Sequence, residues 1–239
     1  MKMKLFDRLI SDEDKKLLSA LKESFVPTFQ RTCPICSYCG YFTHYGRPPR
    51  RDALCTSCGS LERNRLFWLW FKGDTEKIQE PILHFAPEKC LNEKLSQLYT
   101  NYKTADLYNK ADLKIDIESI DLPSEAFSTV ICNHVLEHVS DRKALGEIFR
   151  ILSPGGIFIV SVPIIDGWDK TYEDDSIVDP VLRDMHFGQS DHVRFYGRDF
   201  RDRLTEAGFS QIDEHTAYGK DVVEYGLLRG EKFFVCRKN

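Results

Sequence analysis

Five of the eight cysteines in this chain lie between Cys33 and Cys58. Two Cys-x2-Cys pairs, Cys33 with Cys36 and Cys55 with Cys58, are separated by 18 residues. In a reducing compartment such pairs indicate a metal site rather than disulfides, and four thiolates complete a tetrahedral zinc site. The spacing therefore predicts a structural zinc ion held by Cys33, Cys36, Cys55 and Cys58. Two alternatives stay open: Cys39 could replace one ligand, and an iron–sulfur cluster could replace the zinc.

A second group of chemically active side chains follows Thr129–Cys132, an apolar run that predicts a buried strand. The group consists of Asn133, His134, Glu137 and His138. Open parallel sheets bind their ligands at the carboxyl ends of the strands. We therefore expect Asn133 and His134 to face a bound molecule, with His134 among the catalytic residues. Glu137 and His138 are expected to cap and orient the turn that follows.

The long segment 164–193 shows no helical or strand periodicity. Compact domains rarely contain so long an irregular loop without a function, and this one leaves the carboxyl end of a strand, so we expect it to cover the site. Asp191 and His192 are the first choice for catalysis, because a histidine beside an acid can act as a general base. The alternatives are a metal held by His186, Asp191 and His192, or an ordered loop stabilised by its own polar contacts.

The elements that position these residues can be predicted from the surrounding pattern. A helix is expected to start at Asp141, whose carboxylate caps it, because apolar residues then recur at three- and four-residue steps. Pro154-Gly155-Gly156 is expected to stop the helix, and 157–162 is the next buried strand. A strand, helix and strand at this spacing predict a right-handed crossover in a parallel sheet.

Further strands are expected on both sides of this unit. The first lies within 81–87, the second within 102–107 and the third within 113–117. Segments 209–216 and 231–237 are expected to form a final hairpin. The alternation of strands and helices predicts an α/β protein with a doubly wound sheet.

The segment FSTVICNHVLEHV, followed at the right separation by the turn LSPGG, resembles the class I S-adenosylmethionine-dependent methyltransferases of the type 11 kind. The N-terminal cysteine pairs and the following CGSLERNRLFWL are similar to a bacterial subfamily that carries an N-terminal zinc ribbon. The resemblance implies a seven-stranded Rossmann-like sheet, S-adenosylmethionine as cofactor and methyl transfer as the activity. It does not imply a substrate.

Several residues match positions that bind the cofactor in this family. Asp106 lies about 20 residues beyond the first loop, where its carboxylate can accept hydrogen bonds from both ribose hydroxyls. By resemblance, Asp116 would accept a hydrogen bond from the adenine amino group, and Ile117 would pack on the adenine ring. Asn133 and His134 would complete the cofactor edge.

The first loop departs from the family pattern. Class I enzymes carry glycines there, whereas Ala86, Glu88 and Cys90 occupy those positions here, and His84 stands at the usual acidic position. We expect Ala86, Pro87 and Glu88 to form a substitute turn in which Glu88 receives the cofactor ammonium group. The alternative is that the loop is merely structural and the cofactor does not bind.

The chain is expected to divide into an N-terminal helix (1–30), the zinc ribbon (31–60), a connecting helix (61–80) and the methyltransferase domain (81–239) with its insertion at 164–193. Apolar residues on one face of the N-terminal helix are expected to pack on the zinc module or on a partner subunit: Leu17, Leu18, Leu21 and Phe25.

Composition narrows the function further. Hydrophobic residues at 42% and charged residues at 29% suit a soluble globular protein, and no apolar run approaches a membrane span. The N-terminus lacks the apolar core of a secretory signal, so a cytoplasmic location is expected. A net charge of −4 offers no general attraction to nucleic acid or membranes.

The predicted function is methylation of oxygen or nitrogen on a small-molecule or sugar-like (glycan) acceptor, with catalysis by His192, Asp191 and His134. An RNA-modifying methyltransferase and a non-catalytic zinc-containing binding protein are the alternatives. The sequence leaves the oligomeric state open.

Overall fold

A mixed sheet of six strands runs through the centre of the protein. The computed structural model describes residues 11–25, 29–73 and 77–239, with the backbone alone for 20–25. In chain order the elements are α1 (Asp12–Phe25), β1 (Gln30–Thr32), β2 (Cys39–Tyr41), β3 (Thr43–Tyr45), β4 (Arg50–Leu54), α2 (Glu62–Gly73), β5 (Ile82–Phe85), α3 (Lys89–Leu98), β6 (Tyr102–Ala105), β7 (Phe127–Asn133), a 3-10 turn (Leu136–His138), α4 (Asp141–Ile151), β8 (Leu152–Ser161), β9 (Tyr172–Glu173), α5 (Pro180–Phe187), β10 (Arg194–Phe195), α6 (Phe200–Glu206), β11 (Gln211–Thr216), α7 (Lys220–Glu224) and β12 (Lys232–Arg237).

The strands of the central sheet lie in the order β11-β12-β8-β7-β5-β6. The last four are parallel to one another, whereas β12 and β11 form the predicted antiparallel hairpin. Since the parallel strands end at the same edge, the loops after Phe85, Ala105, Asn133 and Ser161 lie side by side. We call this the carboxyl edge of the sheet.

Helices cover both faces of the sheet. Leu83 and Phe85 of β5 pack into an apolar core with α4 and α6, while Ile82 packs into a second core with α2 and α3. Parallel strands that are buried on both faces have continuous apolar sequences, which is why these strands are recognisable in the chain. The aromatic residues of α2 pack in the second core.

The strand predicted at 113–117, the third along the chain in the sequence analysis, is not formed. Leu113 makes a single parallel bridge to Ala105, and the chain then turns. The Asp116 carboxylate accepts a hydrogen bond from the Glu118 backbone N–H at 2.9 Å, which closes a local turn instead of extending a strand. The sheet therefore has six strands rather than seven.

The predicted cap of α4 is also wrong. Ser140 occupies the N-cap position, and Asp141 is buried with 2% exposure. Its carboxylate accepts hydrogen bonds from Arg203 at 2.7 Å and from the Tyr196 hydroxyl at 3.0 Å. A buried carboxylate requires such partners, so Asp141 serves the tertiary structure and not the helix end. The helix ends at Ile151, before the predicted Pro-Gly-Gly stop.

The N-terminal helix forms, but Leu17 and Leu18 do not pack on the zinc module, and packing on a partner subunit stays a prediction. Leu17 and Leu18 are 60% and 49% exposed. The side chains of Leu21 and Phe25, and everything in 1–10, lie outside the described residues. None of the helices that the structure describes is both long and apolar enough to cross a bilayer.

One buried arginine joins residues 31–60, which we call the cysteine-rich module, to the rest of the fold. Arg65 of α2 is fully buried and donates to four backbone carbonyl oxygens at 2.6–2.9 Å. Ala53 and Ser60 belong to the cysteine-rich module, whereas Tyr225 and Gly226 belong to the loop between β11 and β12. The planar guanidinium is suited to this arrangement because its donors point in fixed directions.

We expect Arg65→Lys to destabilise the protein. Lysine cannot reach all four carbonyls, and each buried acceptor left without a donor costs about 1–3 kcal/mol. Urea unfolding should show the loss, whereas the exposed Arg51→Lys should change stability by less than about 0.5 kcal/mol. Equal stabilities of the two variants would contradict the role given to Arg65.

The insertion is more regular than the sequence pattern indicates. It contains α5 and the short strand β9, which pairs with β10. The helix α5 has recognisable end signals: Asp179 caps it, Pro180 opens it and Gly188 ends it in a left-handed conformation.

Ion pairs fasten the insertion to the core. The Glu173 carboxylate accepts hydrogen bonds from Arg194 and Arg203, each at 2.8 Å. Arg203 also contacts the buried Asp141, and the Arg194 guanidinium donates to the Leu136 carbonyl oxygen at 2.8 Å. The network therefore ties β9, β10 and α6 to the turn after β7.

This network predicts a pH-dependent stability. Partial burial would raise the pKa of Glu173, but the hydrogen bonds and charges of Arg203 and Arg194 lower it from 4.5 to about 2. Because the folded pKa is lower than the unfolded one, this stabilisation is complete above about pH 4.5 and is lost as the pH falls toward 2. Urea unfolding should show Glu173→Gln less stable than the wild type at pH 6, with the difference shrinking as the pH falls.

The exposed Asp175→Asn is the matched control, since it removes a carboxylate from the same insertion outside these pairs. A Glu173→Gln difference that stays constant with pH would contradict the assignment.

Candidate active site and metal centre

A cavity of about 730 Å³ opens at the carboxyl edge of the sheet. His134 and Val162, which follow β7 and β8, form its floor. The other walls come from the cysteine-rich module (residues 45–47 and 50), the insertion (184–195) and the loop before β12 (228–232). The insertion therefore contributes to the site, as predicted for a covering segment.

A histidine–carboxylate pair lies in this cavity. His134 Nδ1 is 3.1 Å from Glu137 Oε1, and Glu137 is fully buried. Burial would raise the pKa of Glu137, but the hydrogen bond and charge of His134, with the charge of His138, lower it, so the group is a carboxylate. Glu137 Oε2 and His134 Nε2 have no hydrogen-bond partner in the part of the chain that the structure describes.

The predicted pair of Asp191 with His192 does not form. Asp191 Oδ2 lies 3.2 Å from His138 Nδ1, whereas His192 Nδ1 lies 3.1 Å from the Phe187 carbonyl oxygen. The backbone turns here so that His192 is 4% exposed while the Asp191 side chain stays 68% exposed. Burial lowers the pKa of His192 more than neighbouring Glu137 raises it.

The alternative metal site of His186, Asp191 and His192 is not assembled among the described residues. His186 Nδ1 lies instead 2.6 Å from the Tyr172 hydroxyl, on the surface of the insertion.

The substitute for the glycine loop has an unusual backbone. Ala86 has a φ of +44°, a left-handed conformation that favours glycine. Glu88 points toward α2, where it accepts a hydrogen bond from Asn64 at 2.8 Å and lies 3.5 Å from His84 Nε2. One oxygen of the carboxylate expected to receive the cofactor ammonium group is therefore bonded inside the protein, whereas Oε2 lies near His84 without a hydrogen-bond partner among the described residues.

The remaining predicted cofactor residues lie along the carboxyl edge. Asp106 accepts hydrogen bonds from the backbone N–H groups of the turn that follows it, at 2.7 and 2.8 Å. Asp116 is exposed, and Ile117 is 5% exposed in the core. Asn133 accepts a hydrogen bond from the Ser161 hydroxyl at 2.9 Å.

Of all the predicted cofactor residues, His134 alone lines the described cavity. The cavity therefore lies beside the predicted cofactor edge, and His134 stands at the boundary between the two.

The four predicted zinc ligands lie together. The Sγ atoms of Cys33, Cys36, Cys55 and Cys58 all fall within 4.8 Å of one another, and the exposed Cys39 lies outside the group. Two of the sulfur–sulfur distances are 3.6 and 3.8 Å. A tetrahedral ion with Zn–S bonds of ~2.3 Å requires sulfur–sulfur distances of about 3.8 Å, so this geometry fits zinc.

Two equivalent turns present these sulfurs. The Ser37 N–H donates to the Cys33 carbonyl oxygen at 2.8 Å, and the Gly59 N–H donates to that of Cys55 at 2.9 Å. Ser37 and Gly59, each directly after the second cysteine of its pair, both have positive φ values. The repeated sequence pattern thus folds into a repeated local structure.

Comparisons with known proteins find similarity to methyltransferases. A family model for the methyltransferase domain matches residues 90–160. The ubiquinone/menaquinone biosynthesis C-methyltransferase UbiE of Pasteurella multocida (strain Pm70) is 29% identical over 135 residues, which cover 51% of this chain and 49% of that protein. UbiE of Vibrio campbellii (strain ATCC BAA-1116) is 30% identical over 135 residues, which cover 51% of each. The chain thus spans about half the length of these curated relatives.

The crystal structure of the CurJ carbon methyltransferase is similar in fold. The match has a TM-score of 0.50 at 16% identity and covers 77% of this chain and 55% of that one.

Residues 90–160 of this chain are thus similar to a methyltransferase domain.

Two positions at the carboxyl edge of the sheet correspond to cofactor positions predicted from the sequence. The left-handed Ala86 lets the chain reverse after β5, and only a methyl group stands where glycine has none. Asp106 follows the neighbouring strand β6. If the resemblance holds, Ala86 and Asp106 would contact the cofactor S-adenosylmethionine together with Asp116 and Ile117.

Sequence reasoning underestimated two residues of the site. Glu137 and His138 were expected only to cap and orient, but both line the cavity. The signal was the spacing of polar residues after the buried strand, since a one-turn helix places Glu137 back beside His134. The convergence of His192 on His138 depends on the path of the insertion and has no local signal.

We expect Cys55→Ser to remove the structural metal and most of the folded protein, because binding and folding of so small a module are coupled. Cys39→Ser should keep both, since Cys39 lies outside the group of four sulfurs. Metal content per folded chain and circular dichroism provide the measurements. Equal metal loss in the two variants would refute this ligand set.

Proposed function

We propose that this chain transfers the methyl group of S-adenosylmethionine to oxygen or nitrogen of a small polar molecule held in the cavity. The observation that carries the proposal is the position of His134, which directly follows β7 at the predicted cofactor edge and also lines the cavity. One side chain can therefore touch both reaction partners.

The lining of the cavity favours a polar, sugar-like acceptor. Charged side chains surround it from several elements: Arg47, Arg50, Arg63, Glu137, Asp184, Arg229, Glu231 and Lys232. A hydroxyl- or phosphate-bearing molecule can satisfy such groups, whereas an apolar one would leave them without water or partners.

When bound, S-adenosylmethionine supplies an electrophilic methyl group on a sulfonium centre. The chain holds the acceptor in line with that group and excludes water. When the His134 ring is neutral and its Nδ1 donates to Glu137 Oε1, the lone pair is on Nε2, which can take the acceptor proton as the new bond forms. Asp191 and His192 were the first choices from the sequence. In the proposed site they do not work as a pair: Asp191 contacts His138, and His192 lines the cavity.

The cysteine-rich module supports the function as a structural zinc site. Zinc bound by four thiolates carries a net negative charge, part of which the buried Arg65 offsets. This module also supplies Arg47 and Arg50 to the cavity wall.

Calorimetric titration of the zinc-loaded protein with S-adenosylmethionine tests the proposal. We expect micromolar binding, and Asp106→Ala should weaken it by roughly 1–3 kcal/mol because the ribose hydroxyls lose a buried acceptor. Asn109→Ala is the matched control: Asn109 bonds the same carboxylate, so it perturbs the turn but leaves the acceptor in place.

An unchanged affinity of Asp106→Ala for S-adenosylmethionine would contradict the proposal that Asp106 binds the ribose. No binding to the folded wild type would favour the non-catalytic binding protein. Copurified RNA, with affinity that falls steeply as salt rises, would favour RNA modification.

A further inference from the structure

Three metal-ligating side chains from two distant parts of the chain meet in the cavity. Glu137 and His138 belong to the turn after β7, and His192 belongs to the insertion. One ligand atom of each lies within 4.8 Å of the others. The Val193 backbone N–H donates to the Glu137 carbonyl oxygen at 2.9 Å, so the two segments are held together directly beside the side chains.

The Nδ1 atoms of His138 and His192 make the hydrogen-bonding contacts that are typical of metal-bound histidines. A carbonyl oxygen can only accept, so the contact of His192 Nδ1 with Phe187 O places the proton on Nδ1 and leaves the lone pair on Nε2. His138 Nδ1 is likewise engaged by the Asp191 carboxylate. Metal-bound histidines usually donate their second ring N–H to a carbonyl or a carboxylate in this way.

The carboxylate points to the same conclusion. Glu137 is fully buried, and His134 holds its Oε1. Its Oε2 has no hydrogen-bond partner among the described side chains and backbone groups. A buried carboxylate oxygen without a partner is costly, and a cation at the centre of the group would satisfy it.

We propose that Glu137, His138 and His192 bind a divalent transition-metal ion in the cavity. Two imidazoles and one carboxylate suit zinc, iron, cobalt or manganese better than magnesium or calcium, which prefer oxygen ligands. Three protein ligands leave coordination positions open toward the cavity, as in catalytic rather than structural metal sites.

The ion would give the site a substrate preference, an extension that rests on the proposed function. An acceptor with a hydroxyl group and a neighbouring oxygen could bind the open positions, and the ion would lower the pKa of that hydroxyl group. The hydroxyl proton passes to His134 Nε2. The oxygen then bonds to the methyl carbon as the carbon–sulfur bond breaks, and S-adenosylhomocysteine leaves.

Metal binding can be measured without any acceptor. Full-length protein that holds one zinc ion per chain, enough for the four-cysteine site alone, is titrated with manganese chloride, and free Mn²⁺ is followed by electron paramagnetic resonance. We expect one further ion per chain beyond the four-cysteine zinc, because manganese does not favour thiolates. His192→Ala and Glu137→Gln should each weaken manganese binding by at least about tenfold and retain the zinc.

His186→Ala is the matched control, since His186 is an exposed histidine of the same insertion that contacts Tyr172. It should bind manganese as the wild type does. Circular dichroism establishes folding, and His192→Ala alone decides the question if Glu137→Gln does not fold. No binding to the wild type, or equal loss in His186→Ala and His192→Ala, would overturn the metal site.

Calorimetry with S-adenosylmethionine on the same samples separates the two proposals. Cofactor binding without manganese binding would refute the metal site alone. Manganese binding without cofactor binding would refute methyl transfer and leave the metal site standing.

Discussion

The buried guanidinium of Arg65 is the contact on which the arrangement of this protein depends. It lies fully inside the fold and binds carbonyl oxygens of the cysteine-rich module and of the loop between β11 and β12. Gly226 makes the contact possible: a Cβ there would lie 3.1 Å from the Asp52 carbonyl oxygen. Because Arg65 belongs to α2, which packs on the sheet, the module is held in one position relative to the carboxyl edge.

A second buried network does the same for the opposite wall. Asp141, Arg194 and Arg203 are each at most 8% exposed, and they connect α4, β10 and α6 through ion pairs. Removing one partner from such a network leaves a charge buried without compensation, which is strongly destabilising. The insertion is thus fixed at its base, and His192 is held close to the turn after β7.

The two anchors explain why the site contains polar groups that the fold itself does not satisfy. Fixed walls keep the cavity open, and the carboxylate of Glu137 is held in it by its bond to His134. Buried polar groups without partners are rare in native proteins and concentrate where ligands bind. In this protein two of them, His134 Nε2 and Glu137 Oε2, lie where the predicted cofactor edge meets the cavity.

The sequence by itself determined the elements whose signal is local. The cysteine pairs predicted the four sulfurs that lie together, and continuous apolar runs predicted the buried strands, since both patterns depend on neighbours in the chain. Tertiary structure decided the rest. Asp141 looked like a helix cap and became a buried ion-pair partner, because Arg203 reaches it from 62 residues away. Asp191 and His192 looked like a pair and do not bond to each other, because the path of the insertion brings both of them against His138. Adjacency in sequence predicts shared turns, but the partners of a buried charge come from wherever the fold brings them.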